Sequence, residues 1–265
     1  MRLATFNILG GRSPTDGRVD VDRFRTAITR LDADLLALQE VDRHQPRSDH
    51  VDLTTVAAEA MGALHHRFVP ALLGTPGERW TAATAAAPTG SPEYGIALLS
   101  RYDVRSWRVV RLPGAPVRLP HRRPGRWAPA WAPDEPRVAV VAEVEGPDGL
   151  LDVVATHLSF VRPWNGRQLR RLMAGLFAAQ PRPLVVLGDL NMGSRRATRA
   201  TGLRPLARGA TYPAGRPRVQ LDHVLGSAPL VPVRSEVMAL PLSDHRALVA
   251  DVRTDVRGAG RPDRL

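Results

Sequence analysis

Short apolar runs that end in turn residues dominate the hydrophobic pattern of this chain. The clearest run covers 184–187, four apolar residues that are typical of a buried strand, and Gly188 allows the backbone to turn after it. Runs of the same kind predict strands over 2–9, 35–41, 65–73, 94–101, 104–112, 138–144, 150–156, 220–225, 231–240 and 246–252, with a short strand near Trp80. We expect 94–101 to pair with 104–112 as a hairpin, while the turn at 146–149 closes a second hairpin.

Three segments have the spacing of amphipathic helices. The first begins near Asp20 and has one apolar face, formed by Val21, Phe24, Ile28 and Leu31. The second covers 52–61, with Gly62 as its C-cap, and the third covers 165–179. Because helices are interleaved with more numerous strands and no linker divides them, we predict one α+β domain over 1–254 and a disordered tail over 255–265.

Residues 113–136 break this pattern, since seven prolines exclude a helix or a central strand. The basic and indole side chains between the prolines are Arg118, His121, Arg122, Arg123, Arg126, Trp127 and Trp131. Such a segment could bind a phosphate backbone while its rings stack on bases, or it could lie on an anionic membrane surface. The alternative is a solvated surface loop. The candidate substrate-binding residues here are Arg122, Arg123, Arg126 and Trp127.

Composition limits the partners and cofactors. The 265-residue chain has a formal net charge of +11, and all 37 basic residues are arginine. This charge favours polyanions, although a GC-rich coding sequence would also explain the arginine usage. Cysteine is absent, so any metal would have oxygen or imidazole ligands, which suit Mg²⁺, Mn²⁺ or Ca²⁺. The sequence has neither a membrane-spanning apolar run nor a signal-peptide pattern, so we expect a cytoplasmic protein.

Polar residues recur directly after the predicted strands. They are Asn7, Glu40, His157, Asp189, Asn191, Asp222, Asp244 and His245. Asp189 and Asn191 suit a carboxylate that takes a proton from water beside an amide that donates to a developing anion. Each residue taken alone is more often an ordinary turn or surface residue. Their shared position predicts one site, because ligands gather at the strand ends of packed sheets.

The segments around these residues resemble, in order, the signatures of the endonuclease/exonuclease/phosphatase superfamily, also called deoxyribonuclease-I-like. They are Thr5-Phe6-Asn7, Leu38-Gln39-Glu40-Val41, Tyr94-Gly95 through Leu99-Ser100-Arg101, Thr156-His157-Leu158, Gly188-Asp189-Leu190-Asn191, Leu221-Asp222-His223-Val224 and Ser243-Asp244-His245-Arg246. The resemblance extends over about residues 1–252. It implies a four-layer α/β sandwich, in which two mixed β-sheets pack face to face with helices outside.

The resemblance implies a metal site. Glu40 matches the principal metal ligand of the family, and Asn7 and Asp244 match residues that complete or support the metal shell. The implied ion is Mg²⁺, for which Mn²⁺ may substitute. This sequence has Leu9 where some nucleases of the family have a further acidic residue, so one possible carboxylate of that shell is missing.

The same resemblance implies the catalytic roles. Asp189 matches the residue that orients and deprotonates the attacking water, and Asn191 matches a residue that binds phosphoryl oxygens. His157 matches a second phosphate-contacting residue. His245 matches a phosphate-binding or acid/base histidine, and Asp222 matches the carboxylate that fixes its tautomer.

The expected function is therefore Mg²⁺-dependent hydrolysis of a phosphodiester, with DNA or RNA as the favoured substrate. A lipid or small-molecule phosphodiesterase or phosphatase of the same fold is the alternative, because the proline-rich segment could rest on an anionic membrane. Leu9, and Ile96 in place of a polar residue of many members, both leave the substrate open. A catalytically inactive binding module is a third possibility, against which the presence of Asp189 and His245 argues. No protein partner is evident, and we expect a monomer.

Overall fold

Two large mixed β-sheets form the frame of the protein. The computed structural model describes residues 1–84, 88–121, 130–177 and 182–255. The strands in these ranges are β1 (Arg2–Asn7), β2 (Leu35–Arg43), β3 (His65–Gly74), β4 (Trp80–Ala82), β5 (Glu93–Ser100), β6 (Val104–Leu112), β7 (Arg118–His121), β8 (Ala130–Pro133), β9 (Arg137–Gly146), β10 (Gly149–His157), β11 (Leu184–Asp189), β12 (Arg204–Pro205), β13 (Asp222–Gly226), β14 (Leu230–Met238) and β15 (Ala247–Thr254).

The first sheet has seven strands in the order β14-β15-β1-β2-β5-β3-β4, and the second has six in the order β12-β13-β11-β10-β9-β6. Each sheet contains one parallel pair near its centre, β1 with β2 and β10 with β11. Four of the eight predicted catalytic and metal-site residues lie at or near the carboxyl ends of these strands: Asn7, Glu40, His157 and Asp189. The arrangement confirms the predicted pair of mixed sheets.

In the described ranges, four α-helices cover the sheets, and their ends follow the local sequence. They are α1 (Val21–Leu31), α2 (Leu53–Met61), α3 (Trp164–Phe177) and α4 (Ser194–Thr201). The Asp20 side chain caps α1 by accepting from the backbone N–H of Arg23, and Gly62 ends α2 in the left-handed region, as predicted. None of the helices in the described ranges has the length and apolar composition that crossing a membrane requires.

Three apolar clusters hold the two sheets and their covering helices together, one between each pair of neighbouring layers. The central cluster lies between the sheets and includes Leu3, Leu35, Val140, Val153 and Val185. A second cluster packs α1 and α2 against the outer face of the first sheet, and a third packs α3 and α4 against the second sheet. This confirms the predicted α+β four-layer sandwich.

The predicted hairpin between 94–101 and 104–112 is wrong. Both edges of β5 are already occupied, by β2 and β3 of the first sheet. The chain therefore crosses at Tyr102-Asp103 to the second sheet, where β6 pairs with β9. The other predicted hairpin is confirmed, because β9 and β10 are antiparallel neighbours.

The proline-rich segment contains a two-stranded ribbon, β7 with β8, which sequence analysis did not predict. Its base is anchored by the buried side chain of Asp134, whose Oδ2 accepts from the backbone N–H of Ala115 and from Ser159 Oγ, both at 2.7 Å. Residues 122–129 of this segment and the tail from 256 onward lie outside the described residues.

Gly188 allows β11 to approach β10 closely, and this contact yields a test of the fold. Its φ is 151°, and a Cβ added there would lie 1.9 Å from the carbonyl oxygen of Thr156. We predict that Gly188→Ala lowers the free energy of unfolding by about 2–5 kcal/mol, measured by chemical denaturation.

Gly175→Ala in α3 is the matched control. Nothing lies within 4 Å of a Cβ added at Gly175, so the substitution should raise stability by about 0.5–1 kcal/mol through helix propensity. Equal effects of the two substitutions would contradict the close approach at Gly188.

Candidate active site

Asp189 lies at the centre of the candidate site. It is the last residue of β11, and only 1% of its surface is exposed. Its Oδ1 accepts from the backbone N–H of Asn191 at 2.9 Å, and its Oδ2 accepts from Asn7 Nδ2 at 3.1 Å. Because Asn7 ends β1 of the first sheet, this carboxylate joins the two sheets at one edge.

Asn7 also connects Asp189 to Glu40. Its Nδ2 donates to Glu40 Oε1 at 3.1 Å, while its Oδ1 accepts from the backbone N–H of Leu9 at 3.2 Å. Glu40 has a φ of 55° in a β-bulge, where the register of β2 on β5 shifts. The strand thus continues past Glu40 to Arg43, whereas sequence analysis predicted that it ends near Glu40. Bulges of this kind redirect side chains beside active sites.

Asp222 and His245 form a buried pair beside Asp189. His245 Nδ1 lies 2.8 Å from Asp222 Oδ2, and His245 Nε2 lies 3.9 Å from Asp189 Oδ2. The backbone N–H of His245 donates to Ser243 Oγ at 3.0 Å. The ring of Tyr212 packs on the imidazole with centroids 4.9 Å apart. These contacts fix the orientation of the ring and assign Nδ1 as the donor to Asp222.

A second histidine, His157 at the end of β10, also lies close to Asp189. Its Nε2 lies 3.6 Å from Asp189 Oδ2 and 3.3 Å from Asn191 Nδ2. Its Nδ1 lies 3.2 Å from Nη1 of Arg137, a buried residue that begins β9. Sequence analysis missed Arg137, because an arginine at the start of a strand is usually solvated. Its position directly before the apolar run that begins at Val138 was the signal that the sequence offered.

The two histidines have opposite electrostatic surroundings. Burial opposes a charge on His245, but the hydrogen bond and charge of Asp222 outweigh it and raise the pKa of His245 to about 9. Burial and the positive charge of Arg137 hold the pKa of His157 well below its usual range. At neutral pH, His245 is therefore charged and His157 is neutral.

Two carboxylates of the site, Asp189 and Glu40, are harder to ionise than usual. Burial and the nearby charge of Asp222 raise the pKa of Asp189 to about 7, against the opposing effects of His245 and two N–H donors. Burial also raises the pKa of Glu40, and the charge of Asp244 adds to this, whereas the hydrogen bond from Asn7 opposes it. Asp189 can consequently accept or release a proton near neutral pH.

Six of the eight predicted site residues line one cleft with a volume of about 470 Å³. Its floor contains Glu40, His157, Asp189, Asn191, Asp244 and His245. Trp131 of β8 and Phe160 also line it, and both are largely exposed, at 61% and 57%. Sequence analysis included Trp131 in the proline-rich segment but missed Phe160. An adjoining cleft of about 780 Å³ shares Glu40 and is lined by two arginines, Arg12 and Arg47.

The structure thus brings together the eight predicted catalytic and metal-site residues. Asn7 and Asp222 are the two that do not line the cleft. Asn7 contacts the lining residues Glu40 and Asp189, and Asp222 contacts His245. The four predicted substrate-binding residues, Arg122, Arg123, Arg126 and Trp127, lie outside the described residues.

One group of side chains could hold a metal ion by proximity alone. Asp189, Asp222 and His245 each offer one ligand atom, and these atoms lie within 4.8 Å of one another. Two of the three residues are already hydrogen-bonded to each other through His245 Nδ1 and Asp222 Oδ2. The group can therefore also act as a relay of charge and protons.

Comparison with known proteins identifies the class to which this fold and site belong. The sequence profile of the Endonuclease/Exonuclease/phosphatase family matches residues 4–245. The chain therefore belongs to the endonuclease/exonuclease/phosphatase family, whose members are hydrolases that act on phosphoester bonds. A search of curated proteins found no match for this chain.

Solved structures share the fold at low sequence identity. An endonuclease/exonuclease/phosphatase from Beutenbergia cavernae is 24% identical, with a TM-score of 0.68 over 96% of this chain and 71% of its own. A mannosyl-6-phosphatase from Bacteroides thetaiotaomicron is 14% identical, with a TM-score of 0.64 over 96% of this chain and 99% of its own. The human Nocturnin catalytic domain with bound sulfate is 18% identical, with a TM-score of 0.63 over 96% of this chain and 94% of its own.

The Asp222–His245 pair yields a test of the electrostatics. Asp222→Asn should lower the pKa of His245, because it removes the charge that stabilises the imidazolium, and an NMR titration of the metal-free protein measures this. The pKa of His245 is raised in the fold, so its stabilising effect is full below the ordinary value of 6.5 and is lost as the pH rises through about 9. The stability difference between wild type and Asp222→Asn should shrink over the same range.

Asp251→Asn is the control, because Asp251 is a partly exposed carboxylate that pairs with Arg2. It should leave the pKa of His245 unchanged. If Asp222→Asn also left that pKa unchanged, the short contact would not be what charges His245.

Proposed function

We propose that this protein is a Mg²⁺-dependent phosphodiesterase that hydrolyses its substrate by attack of water, with nucleic acid as the favoured substrate. The observation that carries the proposal is the position of Asp189. Its buried carboxylate lies on the floor of the cleft between two histidines, and Asn7 connects it to Glu40. This arrangement supports the proposal, because a carboxylate suited to act as a base, side chains suited to bind phosphate and a second hard carboxylate surround one small volume.

Asp189 is the proposed base. It would accept a proton from the water that attacks phosphorus, and a pKa of about 7 is well matched to that task at neutral pH. The backbone N–H of Asn191 and the side chain of Asn7 hold the two carboxylate oxygens in fixed directions. The attacking water would thus be oriented before the phosphoester binds.

Three groups around Asp189 would bind the phosphoryl oxygens. His245 supplies positive charge, which its short contact with Asp222 maintains. His157, which also lies close to Asp189, and the adjacent Asn191 supply N–H groups. Fixed donors of this kind stabilise the charge that builds on phosphoryl oxygens in the transition state.

The residues near Glu40 fit a hard divalent cation. Burial and the neighbouring carboxylate of Asp244 both disfavour the charge of Glu40, and a cation between them would reverse that penalty. Glu40, Asn7 and Asp244 would hold the ion through oxygen atoms, which Mg²⁺ prefers. When bound, the ion would supply Lewis-acid stabilisation of phosphoryl charge. We favour this set over Asp189, Asp222 and His245, since a metal there would compete with the hydrogen bond of His245.

The charge of the chain supports a polyanionic substrate, because a net charge of +11 attracts nucleic acid. In the adjoining cleft, Arg12 lies beyond Glu40, whereas the second arginine, Arg47, is paired with Asp42. A lipid or small-molecule phosphoester remains the second candidate. The exposed rings of Trp131 and Phe160 at the cleft would suit an apolar group, and one structural neighbour is named a mannosyl-6-phosphatase. A screen of DNA, RNA, bis(4-nitrophenyl) phosphate, sphingolipids and phosphoinositides separates these substrates.

The first test of this function concerns the metal. Activity should vanish in EDTA and return with Mg²⁺ or Mn²⁺. Glu40→Gln should raise the metal concentration required for half-maximal activity by on the order of tenfold or more, because it removes the ligand charge while keeping the shape. Calorimetric titration of the metal into each variant measures the same loss directly.

Glu78→Gln is the matched control, because Glu78 is an exposed glutamate that lines the same cleft. It should leave the metal requirement close to that of wild type. Full activity in exhaustively chelated buffer would contradict the metal-dependent mechanism.

The second test concerns the proline-rich segment. Replacing Arg122, Arg123 and Arg126 together by alanine should raise KM for a polyanionic substrate and flatten its salt dependence. Hydrolysis of bis(4-nitrophenyl) phosphate should hardly change, because the floor of the cleft is untouched. Steady-state kinetics at several salt concentrations measure both effects.

The control removes the same charge elsewhere, by replacing the exposed Arg30, Arg195 and Arg199 with alanine. None of these three lines either cleft. Equal effects of the two triple variants on KM would show that only the net charge of the protein matters. In the substrate screen, cleavage of lipid without cleavage of nucleic acid would favour the second candidate function.

A further inference from the structure

Arg137 has an unusual position for an arginine. Only 5% of its surface is exposed, although it lies at the very start of β9, an inner strand of the second sheet. Its Nη2 lies 3.5 Å from a carboxylate oxygen of Glu135, and its Nε has no hydrogen-bond partner among the described residues. Its remaining contact, from Nη1, is the one with His157 Nδ1 at 3.2 Å. A buried guanidinium in contact with a histidine of the site suggests a role beyond packing.

That contact determines which ring nitrogen of His157 carries the proton. A guanidinium has donors only, so His157 Nδ1 must be the acceptor and cannot carry a proton. The proton of the neutral ring then lies on Nε2, the nitrogen that faces Asp189. The antiparallel pairing of β9 with β10 brings the start of one strand beside the end of the other, so the backbone sets this contact.

The same assignment determines the nature of a second contact, the one between His157 and Asn191. His157 Nε2 lies 3.3 Å from Asn191 Nδ2, which already donates to the carbonyl oxygen of Leu158 at 2.9 Å. With a proton on Nε2, this contact joins two N–H donors instead of a donor and an acceptor. Adjacent donors on the wall of a cleft can share one acceptor, and a phosphoryl oxygen is an acceptor of the right kind.

We propose that Arg137 is a positioning residue, which keeps His157 in the Nε2–H tautomer so that His157 and Asn191 form a donor pair for one phosphoryl oxygen. The identity of that oxygen rests on the proposed function, whereas the tautomer does not. His157 then acts as a fixed neutral donor and His245 as the charged partner. The division of roles follows from the different groups that contact the two Nδ1 atoms, a guanidinium for His157 and a carboxylate for His245.

The test reads the tautomer directly. Long-range ¹H–¹⁵N NMR of protein labelled with ¹⁵N-histidine, at pH 7 and without substrate, distinguishes Nδ1–H from Nε2–H, and a His157→Gln spectrum assigns the signal. We expect His157 to be the Nε2–H tautomer in the wild type. A ring protonated at Nδ1 would overturn the proposal, and this measurement needs no variant of Arg137.

Arg137→Met then tests the cause, because methionine keeps much of the apolar stem and removes the donors. The Nδ1–H tautomer should appear, and turnover of bis(4-nitrophenyl) phosphate should fall by on the order of tenfold. Arg182→Met is the control, because it removes a half-buried arginine that pairs with Glu143. It should change neither the tautomer of His157 nor the turnover. An unchanged tautomer, or unchanged turnover, in Arg137→Met would overturn the role of Arg137.

The His157 tautomer and the phosphoester turnover, measured together, also separate this inference from the proposed function. If the wild type hydrolysed no phosphoester but its His157 tautomer depended on Arg137, the proposed function would fail while the positioning by Arg137 would stand. If the wild type were an active phosphoesterase with Nδ1 of His157 protonated, the function would stand and the role of Arg137 would fail.

Discussion

The burial of the Asp189 carboxylate between two sheets is the constraint on which the rest of the site depends. A buried charge is costly unless polar groups surround it, and here a side-chain amide and a backbone N–H contact its two oxygens. One of these donors, Asn7, comes from the other sheet, so the docking of the sheets and the geometry of the site cannot vary independently. Gly188 has a related role, because its missing Cβ lets β11 approach β10 and places Asp189 beside His157.

The same constraint accounts for the contrast between the two histidines. Both lie less than 4 Å from one oxygen of Asp189, yet Asp222 keeps His245 charged against the effect of burial, whereas burial and the charge of Arg137 keep His157 neutral. Burial and the charge of Asp222 raise the pKa of Asp189 to about 7, and the positive charge of His245 opposes this rise. A second charged histidine beside the same carboxylate would lower that pKa further.

Much of this could be predicted from the sequence, because the relevant signals are local. Apolar runs marked the buried strands, and capping residues such as Asp20 and Gly62 marked helix ends. Polar residues that recur next to strands marked the site, since a packed sheet brings its strand ends together. The family match over residues 4–245 agrees with the resemblance on which the roles were assigned.

What escaped prediction depends on partners distant in the chain. The pattern of 104–112 shows a strand, but only the occupied edges of β5 show that it belongs to the other sheet. The bulge at Glu40 depends on pairing register, which no single strand encodes. Arg137 was missed because its significance comes from His157, twenty residues away, and Phe160 because one exposed ring has no periodic signal.

The central claim is that Asp189 takes the proton from the attacking water, and Asp189→Asn tests it most directly. Asparagine keeps the size of the side chain but cannot serve as the base. The measurement is single-turnover hydrolysis at saturating substrate and Mg²⁺, with the melting temperature recorded for each protein. We expect the rate to fall by on the order of 10²-fold or more while the melting temperature stays near that of wild type. A rate equal to that of wild type in a folded Asp189→Asn protein would contradict the account.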